Sequence, residues 1–176
     1  LSPAYHRLQD LGAVFGEKGG WERPNWFTPN EQFSKAASLP DLSGWARDNW
    51  SPASAAEHRA TRETVGLFDE TSFSKIEVQG PGALDFLQKL CANDIDKPVG
   101  SVIYTQMLNA RGGIECDFTV TRLAEDRFFI VTGTAFGQHD MSWLSLNMPE
   151  DGSVSIEDVG SAYACSGMWG PKARKI

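Results

Sequence analysis

Apolar and polar residues alternate with a period of two in several short stretches of the chain, as in strands with one buried face. This alternation predicts strands around Ile76 and Val78 and over Ser101–Asn109, Ile114–Leu123, Arg127–Thr132, Val154–Val159 and Tyr163–Trp169. The loop 110–113, which contains Gly112-Gly113, links the second and third of these stretches into the clearest hairpin of the sequence.

Other stretches repeat apolar residues every three or four positions, which predicts helices. They cover residues 3–16, 52–65 and 135–146, together with a helix that carries the apolar stripe Ala83, Phe86, Leu87 and Leu90. Gly19-Gly20 follows the first helix, and Ser51-Pro52 opens the second with a serine cap. Because the strands are joined largely by short turns, we expect an α+β fold, a mostly antiparallel sheet with packed helices.

The first fifty residues differ from the rest of the chain. Four of the six tryptophans lie there within thirty residues and show no clear periodicity. We interpret residues 1–50 as an irregular, Trp-rich connecting segment and residues 51–176 as the N-terminal part of a truncated domain. A strand that runs into Gly-Pro-x-Ala occurs twice, at Val78–Ala83 and at Met168–Ala173, and after the second copy we expect the chain to stop just inside a helix.

Charge and cysteine usage narrow the class of protein. The formal net charge of −7 and the isoelectric point near 4.9 argue against a nucleic-acid partner, because a protein needs a surplus of Lys and Arg to neutralise nucleic-acid phosphates. No apolar stretch reaches the roughly 18 residues of a membrane span, so no membrane partner is expected. The three cysteines and three histidines are far apart, without metal-ligand spacing, so no metal site and a reduced, cytoplasmic-type compartment are predicted.

The hairpin sorts its side chains onto two faces. If it closes symmetrically about Ala110-Arg111, Tyr104 lies directly opposite Asp117. The predicted core face carries Ile103, Thr105, Met107, Ile114, Cys116, Phe118 and Val120. The opposite face carries Val102, Tyr104, Gln106, Glu115, Asp117, Thr119 and Thr121. A phenol beside a carboxylate could grip and protonate a flat, nitrogen-rich ligand, but periodicity alone favours a face that simply meets water, because solvated sheet faces are common.

Several segments resemble the glycine-cleavage T-protein family, the aminomethyltransferases. They are Arg62–Asp69, Val78–Ala83, Asn93–Ile95, Tyr104–Asn109 and Gly112–Asp117. The Trp-rich opening, with Gly20–Pro24 and Trp26-Phe27, is similar to the join between the flavin and folate regions of dimethylglycine and sarcosine dehydrogenases or oxidases. Plain T-proteins lack that join, so the resemblance favours the dehydrogenase branch.

The resemblance implies roles for particular residues. Asp117 stands where the family has the acid/base residue that activates or orients the tetrahydrofolate amine, and Tyr104 where it has a folate contact. Phe73 and Thr119 stand where the family has further pterin contacts. Gly133 occupies a position at which the T-protein pattern often has Asn, so any hydrogen bond from that side chain is absent here.

The resemblance also implies a parent enzyme. An FAD-dependent domain in another part of the parent would oxidise an N-methyl amine such as dimethylglycine or sarcosine to an iminium, and tetrahydrofolate would capture the carbon as 5,10-methylenetetrahydrofolate. The implied partners are a small-molecule substrate and the flavin domain of the same parent chain, in the cytoplasm or, in a eukaryote, the mitochondrial matrix. An isolated fragment should be inactive. The alternatives are a free-standing T-protein and a non-catalytic folate-binding scaffold.

Overall fold

The computed structural model describes residues 1–33 and 52–176 of the chain. They form two compact units, one drawn from residues 1–71 and 164–176 and the other from residues 72–163. Both units combine antiparallel strands with helices, which confirms the predicted α+β class. Every helix in the described part of the chain is too short or too polar to cross a membrane. The predicted domain boundary between residues 50 and 51 lies outside the described residues and stays a prediction.

The first unit begins with a short helix and a β-hairpin. Helix α1 (Tyr5–Asp10) is followed by Gly12, whose φ of +82° is a conformation that glycine adopts without strain. Strand β1 (Ala13–Lys18) then pairs antiparallel with β2 (Trp21–Phe27), and a 3-10 helix (Thr28–Phe33) follows.

Two predictions for this region are therefore wrong. The helix expected over residues 3–16 ends at Asp10, and the supposedly irregular stretch after Gly20 is a strand. The apolar spacing from Tyr5 to Phe15 has another cause, because the turn at Gly12 brings the two rings into a stacked contact with centroids 4.5 Å apart. Trp45, Trp50 and the predicted Ser51 cap lie outside the described residues.

The rest of the first unit is a helix and a second strand pair. Helix α2 (Pro52–Glu63) agrees with the helix predicted over 52–65. Strand β3 (Gly66–Asp69), which the alternation pattern did not predict, pairs antiparallel with β9 (Ser166–Trp169).

The repeated Gly-Pro-x-Ala sequence adopts the same turn in both copies. Gly80 and Gly170 have φ of +124° and +120°, and each accepts a hydrogen bond at its carbonyl from the alanine three residues later. The first copy leads into helix α3 (Ala83–Leu90), and the second into a 3-10 turn over Ala173–Lys175.

The second unit is a five-stranded antiparallel sheet with strand order β5-β6-β7-β4-β8. Its strands are β4 (Ser74–Gln79), β5 (Val102–Leu108), β6 (Ile114–Ala124), β7 (Arg127–Thr132) and β8 (Ser155–Asp158). All five lie close to the predicted stretches. Helices α3 and α4 (Gly137–Asn147) share one buried core with the sheet, formed mainly by Ile76, Val78, Phe86, Leu87, Phe118, Val120, Phe128, Ile130 and Leu144.

The hairpin register differs from the symmetric prediction. Tyr104 pairs with Thr119, and Gln106, two residues further along β5, pairs with Asp117. One residue of the difference comes from the loop, where the Asn109 amide bonds the Gly113 carbonyl. The other comes from a bulge, because Leu108 pairs with Ile114 whereas Met107 pairs with Cys116, which leaves Glu115 as an extra residue in β6.

Two side chains consequently lie on faces other than those predicted. Ile114, expected in the core, is 66% exposed. Glu115, expected beside Asp117, approaches His139 of α4 on the helix-covered side, with 3.6 Å between its carboxylate and the imidazole. The remaining sorting holds, since Ile103, Thr105, Met107, Cys116, Phe118 and Val120 are all buried and Tyr104 and Asp117 are exposed.

Candidate functional site

The candidate site is the open face of β5 and β6, opposite the helices. Tyr104 is 58% exposed and lies directly across from the half-buried Thr119. Asp117 occupies the next position on the same face of β6, paired with the half-buried Gln106. The structure therefore brings together three of the four predicted site residues, in a diagonal arrangement rather than as one direct Tyr–Asp pair.

The phenol of Tyr104 interacts directly with its diagonal neighbour. A hydrogen bond to the Asp117 carboxylate raises the pKa of Tyr104, since ionisation would place two negative charges side by side. The Gln106 side chain also hydrogen-bonds the phenol and acts on its pKa in the opposite sense. Gln106 is thus a further member of the site: alternation placed it on this face without a role, and the observed register pairs it with Asp117.

The loop that precedes β6 fixes where this strand begins. The Asn109 side-chain oxygen accepts hydrogen bonds from the backbone amides of Arg111 (2.9 Å) and Gly113 (3.0 Å). Gly112 has a φ of +77°, and a Cβ on Gly113 would lie 2.9 Å from the Asn109 amide nitrogen. Glycine is therefore favoured at position 112 by the positive φ and at position 113 by the close Asn109 side chain.

The segment before β5 supports the strand that carries Tyr104. The Asn93 side chain donates a hydrogen bond to the Tyr104 carbonyl (3.1 Å), and the Asn93 backbone amide donates to the Thr105 hydroxyl (3.1 Å). The Ala92 amide also donates to the Gln106 carbonyl. Asn93, part of the segment that resembled T-proteins, thus holds the edge of the sheet and leaves the Tyr104 side chain on the open face.

Phe73, the fourth predicted site residue, lies level with Asp117 but two strand positions away across the sheet. If the β6–β7 and β4–β7 pairings are extended past their last paired residues, Gly133 is the neighbour of both Asp117 and Phe73. At roughly 4.8 Å between strands, Phe73 lies about 10 Å from Asp117 across the sheet. Gly133 adds no side chain between them, and the Phe136 ring lies close by, 3.2 Å from where a Cβ on Gly133 would be.

The same face is covered further along the sheet, over β7 and β4. Lys75, which pairs with Val131, is 1% exposed and donates a hydrogen bond to the Gly160 carbonyl (3.1 Å). Phe129 meets Tyr163 edge to face, with ring centroids 5.4 Å apart. The segment 159–163 thus forms a wall beside the open surface over β5 and β6.

The fold and this surface define an α+β domain with one polar sheet face beside a Gly-Gly loop. A family model described as the GCVT N-terminal domain matches residues 4–176. The chain therefore belongs to the GCVT N-terminal domain family, which confirms the resemblance to glycine-cleavage T-proteins.

Individual relatives include both enzymes and a regulatory protein. The chain is 38% identical over 180 residues to 4-methylaminobutanoate oxidase (formaldehyde-forming) of Paenarthrobacter nicotinovorans, which covers 99% of this chain and 20% of the oxidase. It is 36% identical to the mitochondrial pyruvate dehydrogenase phosphatase regulatory subunit of Mus musculus, over 98% of this chain and 20% of that protein. The chain thus spans about a fifth of the length of these relatives.

A solved structure agrees with the fold. The aminomethyltransferase T of the glycine cleavage system from Bartonella henselae superimposes with a TM-score of 0.77 at 27% identity. The match covers 98% of this chain and 41% of that protein. The larger part of the T-protein thus has no counterpart within these 176 residues.

Proposed function

We propose that this chain forms one wall of a tetrahydrofolate site in a flavin-dependent N-methyl amine dehydrogenase or oxidase. The observation that carries the proposal is the grouping of Tyr104, Asp117, Gln106 and Thr119 on one open sheet face. A pterin is flat and rich in N–H donors, and this face offers a carboxylate and an amide oxygen as acceptors next to an aromatic ring. Phe73 adds a second aromatic group at the far side of Gly133.

Asp117 is the acid/base group of the proposed reaction. A folate nitrogen forms a C–N bond to the iminium carbon of the oxidised amine and loses a proton, which Asp117 accepts. The carboxyl then returns this proton to the departing amine, while the second folate nitrogen closes the 5,10-methylene bridge and releases its own proton. General acid–base catalysis of this kind contributes about 10²- to 10⁴-fold to a rate. Tyr104, hydrogen-bonded to Asp117, orients the carboxylate and contacts the pterin.

The oxidation that generates the iminium is assigned to another part of the parent protein. When bound, FAD accepts the hydride of an N-methyl group. This chain has no Gly-x-Gly-x-x-Gly sequence after a strand, so the residues present do not fit a dinucleotide site and the flavin domain is proposed as its partner. The similarity to a formaldehyde-forming methylaminobutanoate oxidase supports an N-methyl amine as substrate, with dimethylglycine and sarcosine as the proposed examples.

The test separates capture of the carbon from oxidation of the amine. In the complete parent protein, Asp117→Asn should leave amine oxidation unchanged and lower formation of methylenetetrahydrofolate by about 10²- to 10⁴-fold, with formaldehyde in its place. Asp126→Asn is the matched control, because Asp126 is exposed in the turn at the opposite end of β6. Equal methylene transfer in both variants would refute the role of Asp117.

A second candidate is a non-catalytic, folate-binding regulatory module. It is favoured by the 36% identity to a phosphatase regulatory subunit, a protein named for regulation and not for catalysis. The same experiment distinguishes the two functions. A regulatory module should bind tetrahydrofolate in the parent protein without forming methylenetetrahydrofolate from any N-methyl amine, and Asp117→Asn should then alter binding alone.

A further inference from the structure

Three possible metal ligands meet on the helix-covered side of the sheet. Cys116 lies on β6, and His139 and Asp140 lie in the first turn of α4. The thiol, the imidazole and the carboxylate each offer an atom within 4.8 Å of the other two. Cys116 and Asp140 are 2% and 1% exposed, whereas half of the His139 side chain is open to solvent. The cluster combines two chain segments, so residue spacing predicted no metal site.

One atom of this cluster is not satisfied by its neighbours. Oδ1 of Asp140 lies 3.3 Å from Nδ1 of His139. Oδ2 is buried and has no hydrogen-bond partner among residues 1–33 and 52–176. A buried carboxylate oxygen without a partner is costly, and a cation is one of the few groups that can compensate for it.

We propose that Cys116, His139 and Asp140 bind one Zn²⁺ ion between β6 and α4. Zinc is borderline-soft and accepts a thiolate, an imidazole and a carboxylate in one site, whereas magnesium and calcium prefer oxygen ligands alone. The Cys116 thiol releases its proton to solvent when the ion binds. Two negative ligands then neutralise the two positive charges of the metal, so the buried site carries no net charge.

The observed separations allow this geometry after a small adjustment. Zinc bonds of about 2.0–2.3 Å place tetrahedral ligands roughly 3.3–3.8 Å apart. The ligand atoms, all within 4.8 Å of one another, must therefore close by at most about 1.5 Å. The half-exposed imidazole of His139 can supply most of this movement by rotating, because solvent surrounds its outer edge.

Glu115 completes the environment of the histidine. Its Oε2 lies 3.6 Å from Nε2 of His139, while its Oε1 accepts a hydrogen bond from the Asn109 side chain (2.8 Å). In zinc sites the histidine nitrogen that does not bind the metal commonly donates its proton to a carboxylate. The site thus assigns Nδ1 of His139 to the metal and Nε2–H to Glu115. This inference does not depend on the proposed folate chemistry, which uses the opposite face of β6.

The experiment is a calorimetric titration of the metal-free chain with Zn²⁺. One ion per chain should bind, and both Cys116→Ser and His139→Ala should weaken the affinity at least tenfold. The control variants carry the same substitutions outside the cluster. They are Cys165→Ser, in a partly buried cysteine, and His58→Ala, in an exposed helical histidine, and both should bind like the wild type.

Co²⁺ provides a second measurement that reports the sulfur ligand directly. The wild-type chain and the His58→Ala variant should show the thiolate-to-cobalt charge-transfer absorption, and Cys116→Ser should lack it. His139 is half exposed, so its alanine variant tests the site even if the buried Cys116→Ser variant fails to fold. Absence of Zn²⁺ binding, an equal loss in His58→Ala, or a cobalt complex without the sulfur band would each overturn the proposal.

Discussion

The phenol of Tyr104 reaches diagonally across the hairpin to the carboxylate of Asp117, while Thr119 is its direct neighbour in the pairing. Because the hydrogen bond to Asp117 raises the pKa of Tyr104, removing the negative charge should reverse that effect. We expect Asp117→Asn to lower the pKa of Tyr104 towards the ordinary tyrosine value, as followed by NMR of tyrosine-labelled chain. Asp126→Asn serves as control and should leave the titration unchanged. An unaltered Tyr104 titration in Asp117→Asn would show that the two side chains do not interact in solution.

The loop before β6 should depend on backbone conformation at Gly112. Its φ is +77°, and a Cβ there would meet nothing within 4 Å, so strain and not crowding decides the cost of a substitution. Gly112→Ala should destabilise the chain by about 1–2 kcal/mol, the usual penalty of a left-handed residue with a side chain. Gly112→Asn should cost clearly less, because asparagine tolerates this conformation. Urea denaturation measures both; equal losses would mean that the loop changes conformation to accommodate either residue.

The ion pair between Glu77 and Arg127 should make stability depend on acid pH. Two hydrogen bonds of 2.7 Å join the Arg127 guanidinium to the carboxylate of Glu77, and they hold the pKa of Glu77 below its ordinary value. The stabilisation is therefore fully present above the ordinary glutamate pKa, and it is lost as pH falls through the lower folded-state value.

Arg127→Gln is the variant that tests this dependence. It should be less stable than the wild type at neutral pH, and the difference should shrink as the pH falls towards about 3. Denaturant unfolding across this range gives the comparison. Arg111→Gln, in the exposed hairpin loop, is the control, and its free energy of unfolding should change with pH in the same way as that of the wild type. A difference for Arg127→Gln that is constant with pH would indicate lost packing in place of a lost ion pair.

The isolated chain should bind tetrahydrofolate weakly or not at all. Tyr104 and Val102 on the candidate face are 58% and 64% exposed, and a ligand held from one side leaves much of its surface in water. The matched T-protein has more than half of its length outside the region that this chain covers. Calorimetry on residues 1–176 beside the complete parent protein tests the point. Submicromolar binding by the isolated chain would show that the pocket is already complete within it.

The sheet of the second unit could be predicted because its strands have one apolar face. Period-two alternation located β4, β6 and β7 closely and placed Cys116, Phe118 and Val120 in the core. The N-terminal hairpin could not be found in this way, since none of the side chains of β1 or β2 is fully buried and both strands lack a clean alternation. Helical spacing was misleading at Phe15, because the turn at Gly12 brings its ring onto Tyr5, a contact that a helix would not give, since ten helical residues rise about 15 Å.

Most members of the candidate site could be predicted, although Gln106 was given no role, but the geometry of the site could not. Alternation placed Tyr104 and Asp117 on one face, and that assignment survives a register shift of two residues because the period is two. The pairing itself depends on the loop at Asn109 and on the bulge at Glu115, and neither leaves a signal in hydrophobicity. The assignment of roles to Asp117, Tyr104, Phe73 and Thr119 stays a prediction until ligand binding is measured.

The bulge at Glu115 also governs which changes in length the hairpin can accept. An insertion between Asn109 and Gly113 would lengthen an exposed loop and leave both strands in place. Deletion of the single unpaired residue Glu115 would make Leu108–Ile114 and Met107–Cys116 consecutive pairs of a regular ladder, so Cys116 and Asp117 would keep their faces. Deletion of one paired residue of β6 between Cys116 and Thr121 would instead exchange the faces of the residues on one side of it. We therefore expect insertions and deletions in related chains to fall in the loop or at position 115 and to avoid the paired positions of β6.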